Sequence, residues 1–138
     1  MDSLSLEAIN AQAKNTMMEH LGIEVTEIGD DYIKAKMPVD HRTHQPMGLL
    51  HGGAHVVLAE SLGSMSANFC LDITKEYALG LDINSNHIRS VRDGYVYGTA
   101  RPIHIGSKTQ VWEIKVTDEN DNLLNISRLT MIVLQHKV

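Results

Sequence analysis

HGGAHVVLAESLGSMSANFC (His51–Cys70) is the stretch on which the fold turns. Residues 54–70 have the composition and length of a helix, with two glycines at its entrance. On a wheel of about 100° per residue, Leu58, Leu62, Met65 and Phe69 fall in one arc of large apolar side chains. The opposite arc holds Val56, Glu60, Gly63, Ser64 and Ala67, small residues around one carboxylate rather than a solvated charged face. Glu60 is the only formally charged residue from Gly52 to Cys70. A helix that is apolar or small all round is usually buried. The stretch therefore predicts a central helix, enclosed by sheet on one side and by sheet or a partner subunit on the other.

The flanking sequence supplies that sheet. Upstream, residues 4–19 have helix-forming composition, with Leu6, Ile9 and Ala13 at helical spacing. Gly22–Val39 alternates apolar and polar residues about a Gly-Asp-Asp turn and predicts a β-hairpin. The loop Asp40–Gly53 is rich in turn residues and histidine. Downstream of the central helix, four stretches read as strands: YALGLDINSNHIR (77–89), YVYGTARPIHI (95–105), TQVWEIKVT (109–117) and LLNISRLTMIVLQ (123–135). Turn signals at Arg92-Asp93-Gly94, Gly106-Ser107 and Asp118–Asn122 connect them closely, which favours antiparallel pairing. One main helix inserted into an otherwise β chain is an α+β arrangement. The 138 residues are expected to form a single domain, 1–138, with no repeat and no linker.

Composition narrows the function classes. Seventeen acidic residues against twelve Lys and Arg give a net charge of −5, which argues against a general nucleic-acid binder. Cys70 is the only cysteine, so no intrachain disulfide can form, as suits a reducing compartment. The first twenty residues lack a basic start and an apolar run, so they do not read as a signal peptide. Residues 52–70 hold Glu60, Asn68, serines and glycines and make a poor membrane span. The expectation is a soluble cytoplasmic protein without membrane or nucleic-acid partners.

Chemistry concentrates around the central helix. A carboxylate on an enclosed helix must be paired, hydrogen-bonded or neutral, and burial of such a group suits it for acid/base work. Ser64 lies at i+4 from Glu60, within reach of it or of a water beside it. Structural and catalytic roles for Glu60 are both open on the helix alone. His51-Gly52-Gly53 sets backbone N–H groups at a helix N-terminus, where anions and developing oxyanions are stabilised. Nine residues turn a helix by roughly 900°, so His51 and Glu60 point to opposite sides. A symmetric dimer with two sites across its interface could unite them.

His41, His44, His51 and His55 suggest a metal, but the HGGAH pair lacks the glutamate of HExxH, and no metal site is expected. From Ser85 to Trp112, Arg89, Arg92, Arg101 and Lys108 stand against Asp93 alone, a segment of +3. That charge suits an anionic, phosphorylated ligand, and equally a set of solvated strand ends. Gly106-Ser107-Lys108 offers N–H groups and an ammonium at a turn.

Val39–Met65, Gly80–Val91 and Pro102–Ile114 together resemble the hotdog-fold acyl-CoA thioesterases. The similarity is to the branch that acts on aromatic acyl thioesters, including hydroxybenzoyl-CoA, 1,4-dihydroxy-2-naphthoyl-CoA and enterobactin-pathway proofreading thioesterases. It implies a curved antiparallel sheet wrapped around one long helix, and a homodimer or a dimer-of-dimers tetramer. It further implies Glu60 as the catalytic nucleophile or base and Gly52 N–H as the group polarising the thioester carbonyl. Gln45 would position thioester or water, His51 would assist the leaving sulfur, and Ser64 would hold Glu60 or its water. Gly80, the stretch His87, Ile88, Arg89 and Ser90, and the stretch His104, Ile105, Gly106, Ser107, Lys108 and Thr109 would meet CoA. CoA enters as part of the substrate, and no metal or redox cofactor is implied.

The Gly80–Asn84 and Ser127–Thr130 stretches are closer to the naphthoyl-CoA type. Thr43-His44-Gln45-Pro46 and Met65 after Ser64 are closer to the proofreading type, which acts on mis-acylated aryl carrier protein. A hotdog dehydratase or hydratase and a non-catalytic acyl-CoA sensor are the rival readings. The first would want a His and an acid converging on one chain, the second an effector segment.

Overall fold

A computed structural model describes residues 5–137. In chain order the elements are α1 (Leu6–Gln12), α2 (Met17–Leu21), β1 (Glu24–Ile28), β2 (Ile33–Pro38), α3 (Gly52–Phe69), β3 (Glu76–His87), β4 (Tyr95–Ile105), β5 (Thr109–Thr117) and β6 (Leu123–Gln135). The six strands form one antiparallel sheet in the order β1-β2-β4-β5-β6-β3. Helix α3 packs against β2, β3, β4, β5 and β6. This is the α+β hotdog arrangement, one long helix held by a single antiparallel sheet.

Alternation in the strands builds the core. Trp112, Ile114 and Val116 of β5 and Leu129 and Met131 of β6 point inward into one core with Leu58 and Leu62 of α3, and Val133 continues the β6 alternation. Each fully buried aliphatic or aromatic side chain adds about 1.5–3 kcal/mol of burial energy.

Three details differ from the sequence-based expectation. Residues 4–19 do not form one helix: Asn15 takes a left-handed φ of 63°, which asparagine tolerates, and the chain breaks there into α1 and α2. Leu4, the first residue of that range, lies outside the described residues. Helix α3 begins at Gly52 rather than at residue 54, because the His51 ring caps it by accepting the Gly53 N–H at 2.8 Å.

The third difference concerns the face of α3. Gly63 and Ala67 do not share the open side with Glu60; they are buried beside Ala54, Leu58, Ala59, Leu62 and Ser66. A Cβ on Gly63 would lie 2.6 Å from Leu129 Cδ2, so the buried Leu129 side chain already fills the space that a larger residue there would take. Small residues are needed on the sheet side, and bulk alone was a poor guide to orientation.

Candidate functional site

The loop before α3 is held by its own side chains. The Asp40 carboxylate accepts the Arg42 N–H at 2.9 Å and an Arg42 guanidinium N–H at 2.7 Å. Those bonds hold the Asp40 carboxyl down at about 2. The Thr43 hydroxyl donates to the Pro38 carbonyl at 2.7 Å, and the His51 N–H donates to the Thr43 carbonyl at 2.8 Å. Gln45 Oε1 accepts the Met47 N–H, so one end of the Gln45 amide is fixed and its NH2 group remains to donate. The loop thereby delivers Gln45 and His51 to the start of α3.

At that start, the accepted Gly53 N–H fixes the neutral His51 ring with its proton on Nε2. The Gly52 N–H has no hydrogen-bond partner among the described residues. It opens on a pocket of about 310 Å³ lined by Gln45, Leu49, Leu50, Gly52, His55, His87, Ile88, Arg89 and Ser90. A Cβ on Gly52 would stand 2.8 Å from His87 Nε2, so a side chain there would displace the His87 ring. His55 is 3% exposed, and burial, then the neighbouring His87, pushes its pKa down to about 4. It is neutral at pH 7.

Glu60 occupies a different place. It lies two turns along α3, roughly 12 Å from Gly52 by helix rise. In the single chain it is exposed rather than enclosed, and its carboxylate has no hydrogen-bond or ion-pair partner among the described residues. The sheet covers one side of α3, and the Glu60 side faces out, where the sequence leaves room for a partner subunit. Glu60 leans on Gly80 of β3, where an added Cβ would sit 3.6 Å from its carboxyl carbon. Ser64, one turn on, is half-buried and makes no hydrogen bond to Glu60. Beyond them a cleft of about 380 Å³ opens between α1–α2 and α3, lined by Ile9, Ala13, Met17, Met65 and Phe69 with the Ser61 and Ser64 hydroxyls.

The residues expected to meet CoA also fall into two groups. Gly80 pairs with Met131, which pairs with Gln110, so the turn His104–Thr109 and Gly80 share one end of the sheet. His87 pairs with Asn125, which pairs with Val116, at the other end. Seven residues of strand separate Gly80 from His87 by roughly 23 Å. One chain thus gathers Gln45, Gly52 and His87–Ser90, with His51 beside them, at one end; Glu60 and Gly80 meet toward the other, the end that the turn His104–Thr109 shares.

The four upstream histidines are dispersed, with His44 Nε2 against the Arg92 carbonyl at 2.8 Å, His51 capping and His55 buried. Among the described residues no group of three or more His, Cys, Asp or Glu could hold a metal ion. No helix among them is long and apolar enough to cross a membrane.

Sequence reasoning weighed His55 only as a metal ligand and passed over the inward polar pair Asn125 and Ser127 on β6. The signal was present, because Asn125 and Ser127 continue the inward alternation of Leu129, Met131 and Val133 with side chains that need partners.

Comparison with known proteins gives the family. The model of the thioesterase superfamily matches residues 47–125. A 1,4-dihydroxy-2-naphthoyl-CoA hydrolase of Escherichia coli is 50% identical over 131 residues, covering 95% of this chain and 96% of its own. A proofreading thioesterase of Cronobacter turicensis is 47% identical over 131 residues, covering 95% of each chain. The crystal structure of a thioesterase from Haemophilus influenzae superposes with a TM-score of 0.94 at 46% identity, covering 97% of this chain and 93% of that one. With its fold, its helix-entrance glycines and its helix carboxylate placed as described, the chain belongs to the thioesterase superfamily.

Proposed function

We propose that the protein hydrolyses an aromatic acyl-CoA thioester, of the 1,4-dihydroxy-2-naphthoyl or hydroxybenzoyl type, to the free acid and CoA. The observation that carries this reading is the pair of complementary half-sites: an unpartnered Gly52 N–H at one end of α3 and an unpartnered carboxylate beside an apolar cleft two turns away. Strand β3 is the edge of the sheet and exposes Leu79 at 51% and Leu81 at 61%. Antiparallel pairing of β3 with β3 of a second copy would continue the sheet and cover that edge. It would also set the Gly80 end of one copy against the His87 end of the other, bringing the half-sites together.

In such a dimer the Gly52 N–H polarises the thioester carbonyl while Glu60 of the facing copy attacks the acyl carbon or draws a proton from water that does so. A C–O bond forms and the C–S bond breaks, with the His51 Nε2–H donating a hydrogen bond to the departing sulfur; the thiolate takes up the proton that Glu60 drew from water or, where Glu60 attacks, a proton from solvent. Where Glu60 attacks, water then cleaves the mixed anhydride and restores the carboxylate. The aromatic ring lies in the cleft beside Met65, and CoA's phosphates lie against Arg89 and Lys108. This chemistry calls for no metal or redox cofactor, and the free Cys70 suits a reducing cytoplasm. Action on an aryl carrier protein, the second reading, is favoured by the likeness to proofreading thioesterases and by the open cleft mouth.

The test is release of free thiol from benzoyl-CoA, followed by kcat/KM across dihydroxynaphthoyl-CoA, hydroxybenzoyl-CoA, a fatty acyl-CoA and dihydroxybenzoyl carrier protein. Glu60→Gln should lower kcat by ~10²–10⁴-fold with little change in KM. Near wild-type kcat in that variant would overturn the assignment.

A further inference from the structure

Beside the Gly52 pocket the exposed His87 joins a polar cluster whose buried members, Asn125 and Ser127, the thioesterase reading does not use. His87 and Ser85 of β3 stand directly opposite Asn125 and Ser127 of β6. Asn125 is 0% exposed and Ser127 is 2% exposed. The Asn125 NH2 group donates to Ser85 Oγ at 2.8 Å and to His87 Nδ1 at 3.1 Å, while its carbonyl accepts the Ser127 hydroxyl at 2.9 Å. The Ser85 and Ser127 hydroxyls close the ring at 2.9 Å.

This orientation of the Asn125 amide is the one the surroundings support. Turned over, the amide would offer its oxygen to both Ser85 and His87 and would leave one of its two N–H groups unpaired in the core. An orphaned buried donor is unfavourable, whereas the observed arrangement uses both protons and the oxygen. His87 Nδ1 is then an acceptor, and the neutral ring must carry its proton on Nε2. That atom is the one standing 2.8 Å from where a Gly52 side chain would begin, inside the same pocket as the free Gly52 N–H. On the other side, the buried His55 ring lies 5.7 Å from the His87 ring, tilted by 37°.

From this juxtaposition we propose that Asn125 is a positioning residue: it fixes His87 as an Nε2–H donor, which joins the Gly52 N–H in a two-donor cradle for the thioester carbonyl oxygen. The inference rests on the thioesterase reading and deepens it. A single backbone N–H leaves the developing oxyanion half-satisfied, and a second preorganised donor strengthens as charge accumulates on that oxygen. The contribution belongs to the transition state, so it falls on kcat rather than on KM.

The test has two arms. In the full-length enzyme labelled with ¹⁵N-histidine, imidazole shifts should show His87 protonated on Nε2 and bare on Nδ1, a readout that needs no variant and no activity. With benzoyl-CoA, His87→Ala should lower kcat by ~10²-fold, the scale of one oxyanion donor. Asn125→Ala should lower it by roughly tenfold, the scale on which loss of a functional histidine's partner acts. In the His87→Ala background, Asn125→Ala should add nothing further, because Asn125 acts through His87. An Nδ1-protonated His87, or additive losses in an active enzyme, would overturn this inference and leave the thioesterase reading standing. Failure of the wild-type protein to release thiol from any acyl-CoA or carrier-protein thioester would overturn the thioesterase reading instead, and the tautomer would then decide the role of Asn125.

Discussion

Replacing His55 by leucine should flatten the acid side of the protein's stability profile. In the folded chain the His55 pKa is about 4 against an ordinary 6.5, chiefly because burial disfavours the charged ring. Between those two values the unfolded chain takes up a proton that the folded chain excludes. Stability therefore rises with pH through this window: it is complete above about 6.5, declines as pH falls, and the His55 contribution is lost near pH 4. The interval corresponds to about 3 kcal/mol. Leucine carries no proton, and it also removes Nδ1, which is buried without a partner. The assay is urea unfolding of both proteins at one fixed concentration, so that association contributes equally, at pH values of about 7.5 and 4. Wild type should lose about 3 kcal/mol more than the variant over that span. Carboxylates titrate in both proteins and cancel in the difference. Equal losses would show that His55 is protonated as readily when folded as when unfolded, and would refute the desolvation argument.

Two other outcomes follow from the geometry. Gly63→Val puts side-chain carbon into the 2.6 Å approach of Leu129 and should lower stability by ~1–3 kcal/mol in thermal or urea unfolding, with activity per folded molecule retained. Arg89→Ala and Lys108→Ala should each raise KM for acyl-CoA more than they lower kcat, and raised salt should weaken wild-type binding in the same sense; an unchanged KM would place the nucleotide elsewhere.

The strands were the most legible part of the sequence. In TQVWEIKVT the alternation of inward Gln110, Trp112, Ile114 and Val116 with outward residues coincides with β5, and LLNISRLTMIVLQ with β6. The central helix was legible from its lack of a charged face. Which of its sides met the sheet was not, because Gly63 and Ala67 look like surface-contact residues until β6 is seen to require their smallness. The break at Asn15 depends on one residue's tolerance of a left-handed φ, which composition over 4–19 does not reveal. For the site, helix geometry already set His51 and Glu60 on opposite sides, but the division of the CoA-contacting stretches between two ends of the sheet was not readable. That division comes from the β3–β6 register, a long-range property that sets Gly80 opposite Met131 and His87 opposite Asn125. The same register conceals the Asn125–His87 contact from any local reading.

The central claim is that catalysis needs Gly52 of one copy and Glu60 of another, and subunit mixing tests it most directly. Glu60→Gln and Gly52→Pro each abolish one half-site; the proline removes the N–H at a position where a helix accepts it, and any displacement of His87 stays within the same half-site. Equal amounts are mixed, dissociated and re-formed, with heterodimers verified by mass spectrometry. Half of the dimers should then be mixed, each with one intact and one doubly broken site, and the sample should recover about a quarter of wild-type kcat on the acyl-CoA. Verified heterodimers with no more activity than the two parents would contradict the account and place each complete site within a single chain.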